Sequence, residues 1–326
     1  MAKNSWPEIG NRQAIDFLKK GLKNDKIAQA YVFAGPDDLG KSTVALAFAH
    51  NLQGETTENS FDSDLSVLQP EEGKKNISIE AVRGFIKEMS LGTFAGRFRI
   101  GIIKKADFLS IEAKNALLKT LEEPNPGAVI ILLVSSEDNL PKTIISRCQV
   151  LNFYPVASSI IYDYLIKEKG ANRSLAKDIS NISLGRPLVA VKYLEDQEAY
   201  RAYLDKAAAW LEIPKLDLFS RFRLIDKLLG GQSWSEEAYN EAKTAIAMTE
   251  GLSRDLVMLS LGEKERLQHS ALLGTLEDVL AFLDKRSNGN PRSLLASYLK
   301  LCVQAKEYLE ANVNPRLILE HIVINM

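Results

Sequence analysis

The chain has 326 residues, 46% apolar and 25% charged, with a formal net charge of −1, enough to bury a sizeable core divided over two or three domains. That near-neutral balance excludes a protein that grips nucleic acid through its own strongly basic surface, so any DNA contact must be local or shared. The longest apolar run, residues 128–134, is far short of the roughly 20 residues that a membrane span needs. The amino terminus lacks the apolar core of a secretory signal, and the only cysteines are Cys148 and Cys302, so a reducing cytoplasm is the expected setting. His50, His269 and His321 are scattered without ligand spacing, and no structural zinc is expected.

Ala30 to Ala34 is a short apolar run rich in strand formers. It leads directly into Gly35-Pro36-Asp37-Asp38-Leu39-Gly40-Lys41-Ser42, after which Val44, Ala45, Phe48 and Leu52 recur at helical spacing. This is the strand, loop and helix context of a phosphate-binding loop. Gly35 and Gly40 let backbone N–H groups wrap phosphate oxygens at a helix amino terminus, where the dipole favours anions. Lys41 would reach the β and γ phosphates and Ser42 would ligate magnesium, with Thr43 in the same first turn, so ATP or ADP with Mg2+ is the expected ligand. Asp37 and Asp38 leave a second reading open, an acidic turn that merely caps a helix.

Residues 53–75 are polar and aperiodic, an expected surface insertion interrupted by one short strand, Leu65 to Leu68. A helix is predicted from Ile79 to Ser90, with Val82, Phe85, Ile86 and Met89 on one face. Phe98 to Ile103 reads as a strand buried in a parallel sheet. Ser110 can cap the next helix, whose stripe is Ala113, Leu117 and Leu121 and which Pro124 and Pro126 stop. Val129 to Val134 is a further strand, Thr143 to Ser146 a short helical segment, and Val150 to Tyr154 closes the series. The alternation predicts an α/β fold, a doubly covered parallel sheet with its ligand at the carboxyl ends of the strands.

The strand Phe98 to Ile103 is where a hydrolytic enzyme of this type would end in a Walker B acid pair. Lys104 and Lys105 stand there instead. Two ammonium groups neither coordinate magnesium nor serve as a general base at neutral pH without a very large pKa depression. Asp107 is either a displaced acid or a capping or solvated carboxylate.

Ala116-Leu117-Leu118-Lys119-Thr120-Leu121-Glu122-Glu123-Pro124, then Ser146-Arg147-Cys148, then Gly185-Arg186-Pro187 resemble the signature run of bacterial clamp-loader subunits of the AAA+ class. The resemblance covers nearly the whole chain, and Asn312 to Glu320 is similar to the end of one subunit type in particular. It implies an AAA+ sheet domain, a helical lid and an all-α carboxyl-terminal collar. It also implies that Arg147 acts as an arginine finger in a neighbouring subunit's ATP site, where a fixed guanidinium offsets charge on the transferred phosphoryl group. Read without the resemblance, Arg147 is equally a solvated arginine near a helix end. Arg186 falls at the family's sensor 2 arginine, or else simply opens a helix with Pro187. Ser135 or Ser136 falls at the sensor 1 polar residue.

The partners so implied are the loader's γ/τ and δ subunits, the sliding clamp indirectly, and primed DNA within the assembly. Arg97, Arg99, Lys104, Lys105, Lys114 and Lys119 form either a solvated or subunit-facing surface or a shared, non-specific contact to that DNA. A γ/τ-like subunit would keep four zinc-binding cysteines and the acidic Walker B, both missing here. Long amphipathic helices are predicted at residues 216–229, 235–259, 271–286 and 291–311, without a catalytic constellation. Leu294, Tyr298, Leu301 and Val303 suit either a bundle core or a collar contact. The expected domains are 1–155, 156–205 and 206–326, and the expected role is a stator that holds nucleotide without hydrolysing it. An autonomous or γ/τ-like AAA+ ATPase is the competing reading.

Overall fold

The computed structural model of the chain describes residues 6–54, 63–71, 76–94, 96–231 and 234–326, so residues 55–62 and 72–75 of the expected polar insertion lie outside the described residues. The chain separates into two compact units. One comprises Met1–Glu168 with Ser183–Val191, the other Lys169–Ile182 with Lys192–Met326. The expected middle segment, 156–205, is therefore shared between them.

The first unit opens with α1 (Arg12–Lys23), β1 (Ala30–Ala34) and α2 (Lys41–Gln53), then β2 (Leu65–Leu68), α3 (Ile79–Met89) and β3 (Arg99–Ile103). It continues through α4 (Ile111–Glu122), β4 (Ala128–Val134), α5 (Lys142–Ile145), β5 (Gln149–Asn152) and α6 (Ser158–Lys167). The five strands form one sheet in the order β2-β3-β4-β1-β5, and each of the four pairings is parallel.

Strand periodicity explains the two-sided burial. On β1, Tyr31 and Phe33 enter one core with Phe48, Leu18 and Phe153, while Ala30, Val32 and Ala34 enter the other with Val82, Phe85 and Leu117. Every residue of β4 is buried, as a central parallel strand covered on both faces should be. Ser78 and Ser110 start α3 and α4 by accepting hydrogen bonds from the N–H groups of Ala81 and Ala113. Each such cap stabilises its helix by about 1 kcal/mol.

The helical unit contains α7 (Arg173–Ile182), part of α8 (Pro187–Glu195), α9 (Gln197–Leu211), α10 (Leu218–Leu229), α11 (Glu236–Ser260), α12 (Leu273–Arg286), α13 (Pro291–Glu310) and α14 (Pro315–Ile324). The four helices predicted here are all present. Trp210, Leu276, Leu283, Tyr298 and Cys302 lie in its core. Trp210 satisfies its buried indole N–H by donating to Thr249 Oγ1 at 2.7 Å. Buried Arg221 donates to the carbonyls of Leu216, Pro214 and Val323, and burial lowers its pKa. Tyr298 belongs to this unit's own core, Leu294 and Leu301 pack against it, and Val303 is exposed.

Candidate functional site

The phosphate-binding loop follows β1 at the carboxyl edge of the sheet and ends at α2. Gly35 has φ +147°, and a Cβ there would be driven into the backbone oxygen of Phe153. Only glycine fits this close approach of β5 to the loop. Gly40 is left-handed at φ +88° and is the N-cap of α2, which it cannot cap with a side chain. A Cβ at Gly40 would meet nothing within 4 Å, so the space before the helix is open to a phosphate group.

Lys41 is buried and donates through Nζ to the carbonyl oxygens of Gly35 and, at 2.7 Å, Pro36. Ser42 and Thr43 lie half-buried in the same turn, while Asp37 and Asp38 are exposed. The start of α8 comes to the loop, where Leu188 N–H donates to Asp38 O at 3.4 Å. Arg186, two residues earlier, is half-buried and turns its Nε to Ser183 O at 3.2 Å. The loop therefore fits a polyphosphate in backbone and shape.

The magnesium side fits less well. Lys104 lies at the end of β3 with Nζ 3.3 Å from Gln69 Oε1, and Lys105 is exposed in a left-handed turn. Asp107 is occupied elsewhere. Its carboxylate accepts from Ser135 N–H at 2.9 and 3.0 Å, from Ser135 Oγ at 3.0 Å and from Asn139 Nδ2 at 2.9 Å. Ser136 accepts from Asp138 N–H and caps a short turn. Of the two sensor 1 candidates, Ser135 is thus tied to Asp107, leaving Ser42 as the hydroxyl that would meet the ion. Among the described residues no group of three or more His, Cys, Asp or Glu side chains could hold a metal ion.

Arg147 stands apart from the loop. It lies between α5 and β5, and the register pairs Gln149 with Tyr31, near the amino end of β1. Four residues of strand separate that level from Gly35, about 13 Å at ~3.3 Å per residue. Arg147 Nη2 meets Glu122 Oε1 at 2.6 Å, and Nη1 donates to Thr143 O at 2.7 Å and Ser146 Oγ at 3.3 Å. The side chains of Arg147 and Glu122 are 34% and 47% exposed. A pair this open to water adds only about 0.2–1 kcal/mol to stability. Burial pushes the neighbouring Cys148 thiol up to about 11, so it is uncharged at neutral pH.

Sequence reasoning missed three features. The periodicity of Ile15, Leu18 and Leu22 could have revealed α1. Asn11 accepts from Tyr154 N–H through Oδ1 at 2.6 Å, across 143 residues that no local pattern spans. Glu122 belonged to a recognised run, but its partnership with Arg147 is visible only in three dimensions.

Residues 10–157 match the family model described as DNA polymerase III, delta subunit. The chain is 26% identical to Bacillus subtilis DNA polymerase III subunit delta′, over 98% of each chain. It is 29% identical to Bacillus subtilis DNA polymerase III subunit tau over 47% of this chain and 29% of that one. Among solved structures, Thermotoga maritima RuvB, a Holliday junction branch migration motor, is similar at a TM-score of 0.47 and 16% identity, covering 68% of this chain and 76% of that chain.

The fold is α/β of the AAA+ class, and the similarity supports, at family level, a clamp-loader-type subunit of the DNA polymerase III complex. The relative matched from end to end is the delta′ subunit in particular. No helix among the described residues is long and apolar enough to cross a membrane.

Proposed function

We propose that the chain is the δ′-type stator of a bacterial clamp loader, holding nucleotide without hydrolysing it and lending Arg147 to the ATP site of a neighbouring subunit. The observation that carries this reading is the strand register. It sets Arg147 near the amino edge of β5, about 13 Å along the strand from the loop at the carboxyl edge, at ~3.3 Å per residue. That is too far to serve nucleotide bound in this same chain. The guanidinium is nevertheless ordered by three acceptors and partly exposed, as a donor offered to another molecule should be.

Lys104 and Lys105 supply no acid at the end of β3, and Asp107 is occupied by Ser135 and Asn139. Binding without an activated water provides no turnover. When bound, Mg2+ would neutralise phosphate charge, with Ser42 as its one hydroxyl from the loop. Lys41, Thr43, Gly35 and Gly40 would hold the phosphates, and Arg186 would swing to them from the start of α8. The division at about residues 155 and 205, γ/τ and δ subunits as partners, indirect contact with the sliding clamp, primed DNA inside the ring, and a cytoplasmic setting complete the proposal.

The test is reconstitution of the ring with its ATPase and clamp-opening partners, measuring clamp-stimulated, DNA-dependent ATP turnover. Arg147→Ala is expected to lower turnover at the dependent site by about 10³ to 10⁵, and Lys41→Ala to change it little. Turnover by this chain alone, lost on Lys41→Ala, would overturn the reading.

A further inference from the structure

We infer that Glu122 is the positioning residue of the arginine finger, a role that rests on the reading of Arg147 as acting in trans. Glu122 is the last residue of α4, where the helix dipole disfavours a carboxylate and favours a cation. Glu123 follows, and Pro124 and Pro126 end the segment, so two acidic groups crowd an already negative helix end. For one of them the arrangement has a direct counterpart. Arg147 Nη2 lies 2.6 Å from Glu122 Oε1.

The guanidinium is gripped from two helices at once. Nη1 donates to Thr143 O, near the carboxyl end of α5, and to Ser146 Oγ, while Nη2 is held from α4. A guanidinium has five N–H donors in a fixed fork. These three bonds leave Nε–H and one Nη2–H without an acceptor among the described residues. Those two remaining donors are what a phosphoryl oxygen of an adjacent subunit would meet.

A long arginine side chain has many rotamers, and a finger stabilises a transition state only when its donors are held within about 0.5 Å of the productive position. Thr143 and Ser146 lie on the same short segment as Arg147 and move with it. Glu122 comes from a different element, packed on the sheet through Leu117 and Leu121. It therefore refers the guanidinium to the rigid core rather than to its own loop. Because both side chains are open to water, removing the carboxylate leaves no buried charge and the fold stays intact.

The experiment uses the complete reconstituted loader with Glu122→Ala, Glu122→Gln, Arg147→Ala and the double variant Glu122→Ala/Arg147→Ala. Assembly and thermal unfolding are measured beside kcat and KM for ATP. Glu122→Ala is expected to lower kcat about 10- to 100-fold, with KM, assembly and Tm unchanged. Glu122→Gln keeps an acceptor oxygen at the same reach and is expected to restore kcat to within about threefold of the original. The double variant is expected to match Arg147→Ala alone, since a positioning residue has no effect once its object is gone.

A wild-type kcat in Glu122→Ala, with Arg147→Ala still impaired, would overturn the positioning role and leave the trans finger standing. Additive losses in the double variant would overturn it as well. An Arg147→Ala loader with undiminished turnover would overturn the finger and Glu122's role together.

Discussion

The two ends of neighbouring strands β1 and β3 have been put to different uses. Beyond β1 the chain keeps every feature that phosphate binding asks of it. Gly35 is in close approach to Phe153, Gly40 turns left-handed before α2, and Lys41 is buried in the loop. Beyond β3 the acids are replaced by Lys104 and Lys105, and the nearest carboxylate, Asp107, is bonded to Ser135 and Asn139. A ligand-binding half and a reacting half of one site are thus separable. Backbone geometry supplies the first, and particular side chains are required for the second.

The most severe way to break this comparison is to fill the loop's close contact. Gly35→Ala places a Cβ against the backbone oxygen of Phe153 at a φ of +147°. No rotamer change relieves a clash with backbone. Strain and overpacking together are expected to cost about 3 kcal/mol or more, read as a lowered urea midpoint. Because the contact joins β1 to β5, the sheet unit loses stability, with loss of nucleotide binding following from it. An unaltered midpoint would show that β5 yields easily at that point.

The corresponding change on the other side should be milder. Asp107→Ala leaves Ser135 N–H, Ser135 Oγ and Asn139 Nδ2 without their acceptor. All are near solvent and water can replace the carboxylate in part, so the expected loss is about 1–2 kcal/mol. Nucleotide affinity should be unchanged. If affinity collapsed while stability held, Asp107 would belong to the ligand side and the division between the two ends would be wrong.

Much of this was legible in the sequence, for identifiable reasons. Parallel strands buried on both faces leave near-continuous apolar runs, so β1, β3 and β4 were found within a residue or two. The loop announced itself because its glycines answer a local backbone demand. What stayed hidden depends on pairs distant in the chain. Asp107 had two open readings because its partners lie 28 and 32 residues away. Arg147 read equally well as a solvated arginine until the register of β5 against β1 fixed which edge of the sheet it occupies. The division of residues 156–205 between two units also has no local signal, since Ser183–Val191 returns to the sheet unit while the segments on either side do not.

The comparison is sharpened most finely by restoring acids beyond β3. Lys104→Asp with Lys105→Glu replaces two cations by two carboxylates at the edge where a magnesium shell would be completed. A carboxylate ligand suits Mg2+, which takes oxygen donors in near-octahedral geometry. The double variant is expected to bind ATP about tenfold more tightly with Mg2+ than without it, a difference of about 1.4 kcal/mol, whereas the unaltered chain should show little Mg2+ dependence. Turnover is expected to stay absent, because Ser135 remains held by Asp107 and no neighbour presents a finger to this chain in isolation. Calorimetric titration with ATP in magnesium and in chelator reads the first effect, and phosphate release reads the second. Hydrolysis in the variant would mean that the lysines alone keep this site silent, and that the bonded Asp107 and Ser135 are no obstacle to chemistry.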